Sequence, residues 1–172
     1  MVNDFLDMAQ FQLGKDVVTL KPGVEVLGML DEIENELKFK AEQKGVYLKL
    51  HRPESLPTIN ADREKLKAAI FNIVDNAVKY TVQGGVDISI ENHTAVNIIV
   101  SDTGIGIPKE KIATLFETMF ERTEEAKKVS TVGSGVGLYL SAQIIKSHHG
   151  KVWVESQGEG KGSIFHIELP LR

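Results

Sequence analysis

The chain has 172 residues with 24 acidic and 20 basic side chains, and its net charge of −4 offers no basic surface of the kind that binds nucleic acid. It contains no cysteine, which excludes disulfides and thiol chemistry. No apolar run approaches the roughly 18 residues of a membrane helix, and the first residues lack the basic start of a signal peptide. We therefore expect a cytoplasmic domain that contacts neither nucleic acid nor a membrane directly.

The first half of the chain predicts three helices with short strands between them. Apolar residues at helical spacing, glycine stops and alternating β-branched residues give the boundaries. In chain order we expect a helix over 2–13 ended by Gly14, a strand over 16–21 followed by a Pro22-Gly23 turn, a long amphipathic helix from Val26 closed by Gly45, strands over 46–50 and 58–59, and a helix over Arg63–Tyr80 with Asp62 as its N-cap.

The second half predicts mainly strands. We expect a hairpin with strands over 86–90 and 96–100 and a turn over 91–94, a short helix with Pro108 as its first residue that runs over 109–117, a helix over 137–149 with Gly150 beyond its end, and strands over Lys151–Glu155 and 163–169. Residues 121–134 show no periodic pattern, and a structureless stretch of that length inside a compact domain is usually functional or disordered.

Three groups of residues carry chemical information, and the first follows the second hairpin strand. Asp102 ends this strand, Gly104 and Gly106 let the backbone approach a ligand, and Ile105 and Ile107 can line a flat apolar slot. This combination suits an aminopurine ring whose exocyclic amine donates to the carboxylate. The alternative is an ordinary Asp-Thr-Gly turn between a strand and a helix.

The second group is a polar stripe on the helix over Arg63–Tyr80. At about 100° per residue, Asn72, Asn76, Lys79 and Tyr80 share one side, next to the apolar face. Asparagine is a poor residue for a helix interior, so two of them on one stripe favour a ligand role. Carboxamide oxygens can coordinate Mg²⁺, and Lys79 could face phosphate oxygens. The alternative is a solvated helix face.

The third group is the glycine run over 133–138 at the start of a helix, where backbone N–H groups suit a phosphate chain. No Gly-Lys-Ser/Thr follows it, and the later Gly160-Lys161-Gly162-Ser163 lacks the P-loop spacing. No Gly-x-Gly-x-x-Gly is present, so a Rossmann cofactor site is unsupported.

Together these motifs resemble the catalytic ATP-binding domain of sensor histidine kinases. The stretches 72–81, 102–107, 133–138 and 160–165 are similar, in the family's order, to its N box, G1 box, G2 box and third glycine box. The resemblance implies the Bergerat fold shared with DNA gyrase and mismatch-repair ATPases. That fold is a two-layer α/β (α+β) sandwich with helices on one face of a mixed β-sheet.

The resemblance also implies roles for single residues. Asp102 would bind the adenine amine, Asn76 would be the Mg²⁺ ligand with Asn72 supporting it, and Lys79 would face phosphate. Catalysis would involve Asn72, Lys79 and Arg122. The nucleotide would be contacted by Asn72, Asn76, Lys79, Tyr80, Asp102, Gly104, Gly106, Ile107, Gly133, Gly135, Gly137, Leu138 and Ser163, and residues 121–132 would form the ATP lid.

Two features depart from the family pattern. Phe116 begins the family's aromatic pattern, but the second aromatic residue (Phe120) and the arginine (Arg122) each lie one position later than usual. In addition, none of the five histidines has the sequence setting of a phosphoacceptor. We therefore expect residues 1–14 to be the end of a dimerisation and phosphoacceptor helix and residues 15–172 to be the catalytic domain. We expect this piece to be monomeric, cut from a kinase that could itself be membrane-anchored.

The implied reaction moves the γ-phosphoryl group of ATP to a histidine on a separate dimerisation domain, and a response regulator is an indirect partner. The amide at Asn72 supports a kinase, because gyrase-type ATPases carry a water-activating glutamate at this position. Two alternatives remain: a serine kinase on the same fold and a nucleotide-gated protein-interaction module.

Overall fold

The computed structural model describes residues 18–117 and 135–171. The predicted helix over 2–13, the boundary between residues 14 and 15, Arg122, Gly133 and the predicted lid lie outside the described residues. The described part forms a five-stranded sheet and a separate pair of short strands, with helices packed on the sheet.

The sheet is mixed, as predicted. Its strands are β2 (Tyr47–Leu50), β4 (Gly85–Asn92), β5 (Ala95–Asp102), β6 (Lys151–Glu155) and β7 (Ser163–Pro170), in the spatial order β2-β4-β5-β7-β6. Among the described strands of this sheet, only the β2–β4 pair is parallel. Along β5 the buried positions alternate with half-buried ones, from Val96 to Asp102, so one face of the sheet lies on the core.

Three helices cover that face. They are α1 (Val26–Lys44), α2 (Arg63–Tyr80) and α4 (Gly137–Ser147), whereas α3 (Lys109–Ile112) is a single turn. The prediction for α2 is confirmed at both ends, and the side chain of its N-cap Asp62 accepts a hydrogen bond from Lys65 N at 3.2 Å. The core face of α2 is fully buried over Leu66, Ile70, Ile73, Val74 and Ala77, so the polar stripe of this helix is left at the edge of the core.

Several predicted boundaries are wrong. Pro22 and Gly23 do not form a turn but lie inside β1 (Lys21–Val24), which pairs with β3 (Ile59–Ala61) as a small second sheet. The register shifts between Lys21 and Val24, and this irregularity accommodates proline in a strand. β3 begins at Ile59, not at residue 58.

The predicted short helix over 109–117 also differs. Pro108 is its N-cap and not its first residue, and regular α-helix ends at Ile112. Beyond it the chain continues in turns whose backbone bonds span three residues, such as Glu117 N to Thr114 O at 3.0 Å. In α4 the helix ends at Ser147, and the left-handed residue beyond it is His149 (φ 59°) instead of Gly150.

The β4–β5 hairpin is tighter than predicted, because only His93 and Thr94 connect its strands. This tip lies at one end of β5, and Asp102 lies at the other. Among residues 18–117 and 135–171, none of the helices has the length and apolar character required to cross a membrane.

Candidate functional site

Asp102 ends β5 with its side chain on the core side of the sheet, and only 9% of the residue is exposed. Burial raises the pKa of its carboxyl to about 6, although hydrogen bonds from the backbone amides of Gly104 and Ser163 work against the rise. Ser163 is the partner of Asp102 in the β5–β7 register, so the sheet itself brings the two together. A buried carboxylate with open acceptor capacity is suited to a ligand amine.

The turn after Asp102 interlocks with the glycine-rich segment over 158–162. Gly160 N donates to Ile105 O at 2.6 Å and Gly162 N donates to Gly104 O at 3.1 Å. A Cβ on Gly106 would lie 2.0 Å from Gly158 O, and one on Gly162 would lie 2.0 Å from Asp102 O. Both residues have positive φ, 70° and 67°. These two glycines are required by the close approach of two backbones.

Ser156, two residues before this segment, supports its contact with the turn after Asp102. Ser156 Oγ accepts a hydrogen bond from Ile107 N at 3.0 Å and donates to Gly162 O at 2.7 Å. Ile107 is partly buried against the core. The turn that carries Ile105 and Ile107 and the third glycine box are therefore parts of one structure beside Asp102.

The polar stripe of α2 lies next to this structure. Asn72, Asn76, Lys79 and Tyr80 are all half-buried. Asn72 faces α4: its Nδ2 donates to Ser141 Oγ at 3.0 Å, and a Cβ on Gly137 would lie 2.5 Å from Asn72 Oδ1. Lys79 Nζ lies 5.2 Å from the centre of the Tyr80 ring, within the range of a cation–π contact.

The end of α2 is tied to the Asp102 turn by its last carbonyls. Tyr80 O accepts from Ile105 N at 3.1 Å, and a Cβ on Gly104 would lie 2.6 Å from the same oxygen.

A lysine from another helix also binds the end of α2. Lys44, the last residue of α1, donates from Nζ to Val78 O at 2.7 Å, Lys79 O at 2.6 Å and Thr81 O at 2.9 Å. Three acceptors use all three protons of an ammonium group, so the cation completes the C-terminus of α2.

Burial, together with the nearby charge of Lys40, lowers the pKa of Lys44, and Asp75 opposes this shift. The desolvation is offset by charge-assisted hydrogen bonds to helix carbonyls, which are stronger than neutral ones. Lys44 therefore positions the segment that carries Lys79 and Tyr80, although it belongs to another helix.

We expect Lys44→Met to lower the free energy of unfolding by about 1–3 kcal/mol, because the helix carbonyls lose their donor in a partly buried place. Chemical denaturation of the variant measures this change. Lys38→Met, at an exposed position of the same helix, is the matched control and should change stability by less than about 0.5 kcal/mol. Equal effects of the two substitutions would contradict the assignment.

The structure thus brings most of the predicted site residues to one region. One group lies at the turn after β5 and comprises Asp102, Gly104, Gly106, Ile107 and Ser163. The helices α2 and α4 contribute the second group, Asn72, Asn76, Lys79, Tyr80, Gly137 and Leu138. Gly135, with φ 71°, precedes α4. Sequence reasoning missed Lys44, Ser141 and Ser156, because each acts through a contact with a residue distant in the chain or in an irregular loop. A serine on the apolar-rich helix α4 was the one available signal.

Comparison with known proteins identifies the family. The model described as "Histidine kinase-, DNA gyrase B-, and HSP90-like ATPase" matches residues 61–172. Adaptive-response sensory kinase SasA of Rippkaea orientalis is 38% identical over 146 residues, which are 83% of this chain and 36% of that kinase. SasA of Synechococcus sp. (strain JA-3-3Ab) is 32% identical over 174 residues, 99% of this chain and 45% of that kinase. The chain spans less than half the length of these relatives.

Solved structures agree. Full-length ShkA in complex with AMPPNP superposes with a TM-score of 0.81 at 31% identity, over 98% of this chain and 35% of ShkA. The catalytic domain of the histidine kinase ThkA gives a TM-score of 0.75 at 24% identity, over 89% of this chain and 96% of that domain, and supports the fold alone. The chain belongs to the histidine kinase-, DNA gyrase B- and HSP90-like ATPase family, and it is an ATP-binding catalytic domain of the histidine kinase type.

Proposed function

We propose that this domain transfers the γ-phosphoryl group of Mg²⁺-bound ATP to a histidine on a separate dimerisation domain of its parent kinase. The observation that carries the proposal is the junction between Asp102 and α2. The backbone of the Asp102 turn is bonded to the end of the helix that bears the polar stripe. An adenine held at Asp102 would then have its phosphates directed along Lys79, Asn76 and Asn72 toward the start of α4.

The donor groups present suit Mg²⁺. Within residues 18–117 and 135–171 no three His, Cys, Asp or Glu side chains lie together as a metal cage. Asn72 and Asn76 instead offer carboxamide oxygens one helical turn apart on a half-buried stripe. Mg²⁺ is commonly held by a few protein oxygens together with water and substrate phosphates, so this sparse set fits it. The ion would neutralise phosphate charge, with Asn76 as its protein ligand and Asn72 as support.

In this reaction the bond between the γ-phosphorus and the bridging oxygen would break, a P–N bond to the imidazole would form, ADP would leave, and the imidazole would lose its N–H proton to solvent water. Neutral imidazole is already a nucleophile near pH 7, so the domain has no need of a strong base. Asn72 fits this requirement, since a carboxamide cannot accept a proton as a carboxylate does. The domain would contribute positioning and charge neutralisation, with Lys79 facing phosphate and Arg122 as a further catalytic residue.

Gly106 and Ser163 would lie beside the adenine, Tyr80 would pack against the nucleotide, and Gly133, Gly135 and Gly137 would flank the triphosphate.

A response regulator is an expected indirect partner. The histidine kinase ThkA has been solved in complex with the response regulator TrrA, and a response regulator would receive the phosphoryl group from the dimerisation domain here. We propose that the isolated domain is a cytoplasmic monomer and that residues 1–14 belong to the preceding dimerisation helix.

A phosphotransfer assay tests the function. The domain is mixed with labelled ATP, Mg²⁺ and the dimerisation domain of the parent kinase. Acid-labile, base-stable label on the acceptor is the expected result, because phosphohistidine hydrolyses in acid. Acid-stable label would indicate a serine kinase, and nucleotide binding without any transfer would indicate a nucleotide-gated interaction module.

The pKa of Asp102 predicts how adenine-nucleotide affinity depends on pH. The ionised carboxylate accepts the exocyclic amine, so affinity should be constant above about pH 7 and fall as the pH drops through about 6. Below that pH the loss should approach tenfold per unit. Calorimetry with ADP, without metal, measures this pH dependence of the affinity. The phosphates of ADP also titrate in this range, so Asp102→Asn is measured in the same way and its profile is subtracted. A wild-type profile parallel to that of the variant would contradict the role of the carboxylate.

A further inference from the structure

Ser141 holds the carboxamide of Asn72 from the facing helix. Asn72 Nδ2 lies 3.0 Å from Ser141 Oγ, and Ser141 Oγ lies 3.1 Å from Ala69 O. Ser141 is 2% exposed, in a core position of α4 that apolar residues otherwise occupy. A buried hydroxyl on this face connects α4 to α2 at the N-terminal end of the polar stripe.

The chemistry of these groups fixes the direction of both hydrogen bonds. A backbone carbonyl only accepts, so the single hydroxyl proton of Ser141 goes to Ala69 O. Ser141 Oγ can then only accept from Asn72, and the NH₂ end of the carboxamide is the one end that can donate. A flipped amide would set Oδ1 against a lone pair of Oγ. The oxygen and nitrogen of an asparagine are nearly equal in shape, so this bond decides which end is which.

Gly137 makes room for the amide in this orientation. A Cβ at Gly137, the first residue of α4, would lie 2.5 Å from Asn72 Oδ1 and 2.9 Å from Nδ2. The carboxamide therefore packs against Gly137 at the start of α4. Ser141 binds the nitrogen of the amide, and Oδ1 lies beside Gly137.

We propose that Ser141 is a positioning residue that presents the oxygen, and not the nitrogen, of Asn72 to the Mg²⁺–nucleotide. The inference rests on the proposed function. An amide NH₂ carries partial positive charge and repels a cation, whereas the oxygen is the kind of ligand that Mg²⁺ binds. Ser141 is 2% exposed, so it would act through the orientation of one side chain and without touching the nucleotide.

The test compares binding of the non-hydrolysable analogue AMPPNP with and without Mg²⁺, by calorimetry on the 172-residue chain. In Ser141→Ala we expect the Mg²⁺-dependent gain in affinity to shrink about 2- to 10-fold, the effect of one hydrogen bond. Affinity without metal should stay at the wild-type value, and the melting temperature should fall by only about 2–4 °C, because one buried hydrogen-bond partner is lost. Ser147→Ala, in the last turn of the same helix, is the matched control and should preserve the full gain.

A double-mutant cycle shows whether Ser141 acts through Asn72. In an Asn72→Ala background, Ser141→Ala should cause no further loss of the Mg²⁺-dependent gain. A full gain in Ser141→Ala overturns the inference. So does an equal loss of affinity with and without metal, because that is the signature of a merely structural role. A wild-type domain that shows no Mg²⁺-dependent gain would instead refute the proposed metal site and the inference with it.

Discussion

Replacing Asn76 with alanine is expected to reduce phosphotransfer to a separate acceptor domain by about 100-fold or more, because the proposed Mg²⁺ ligand is lost. Loss of a group that only supports a metal ligand already lowers metal affinity or activity by about 10–100-fold. The helix should persist, since alanine has the higher helix propensity. Asn76 lies half-buried, one turn from Asn72, on α2. The rate of label transfer from ATP measures the effect.

Binding separates this loss from misfolding. ADP without metal should bind Asn76→Ala almost as it binds the wild type, since adenine recognition depends on Asp102. Asn35→Ala, at an exposed position of α1, is the matched control and should transfer phosphate at the wild-type rate. If Asn76→Ala transfers at that rate with Mg²⁺ present, the metal site lies elsewhere.

Asp102→Ala should weaken ATP binding about 5- to 150-fold. The adenine amine loses its acceptor in a buried place, which corresponds to roughly 1–3 kcal/mol. The Gly104 and Ser163 amides that now contact the carboxylate also lose a partner. Calorimetry measures the affinity.

Asp87→Ala is the control for the loss of an aspartate from the sheet. Asp87 lies on the neighbouring strand β4, where it accepts from Tyr47 OH at 2.8 Å and contacts His51 Nε2 at 2.6 Å. His51 lowers the pKa of its carboxyl. This substitution should leave ATP affinity unchanged. Equal affinity of Asp102→Ala and the wild type would remove Asp102 from the site.

Much of this fold could be predicted, because local signals and tertiary packing agree. The helix α2 has a 3.6-residue apolar period, a capping aspartate and a polar stripe, and each was found as predicted. The alternation that leads to Asp102 likewise gave β5. The comparisons confirm the family and the fold, and the roles of the individual site residues remain predictions.

The helix predicted over 109–117 was too long because its apolar spacing is compatible with two backbone conformations. Ile112, Leu115 and Phe116 are spaced as on a helix, yet the chain turns after Ile112 and these side chains still reach the core. Phe116 meets the Phe165 ring edge-on at 6.2 Å. Apolar spacing reports which side chains are buried, and both conformations bury them.

The missed supports of the site have another cause. Lys44 is separated from the carbonyls that it binds by 34 to 37 positions, and Ser141 is separated from Asn72 by 69. No periodicity encodes such pairs, since they exist only after α1 and α4 have packed on α2. Lysine at the end of a helix is unremarkable in sequence, and the serine on the apolar-rich helix α4 does not reveal its partner.

The tip of the β4–β5 hairpin is a suitable site for attaching the domain to a surface or a dye. Its tip at His93 and Thr94 is separated from Asp102 by the length of β5, about 25 Å at the usual rise per residue. The chain has no cysteine, so His93→Cys would supply one addressable thiol at an exposed position. A domain tethered there would keep its nucleotide end toward solution, which is the orientation that single-molecule measurements of ligand exchange require.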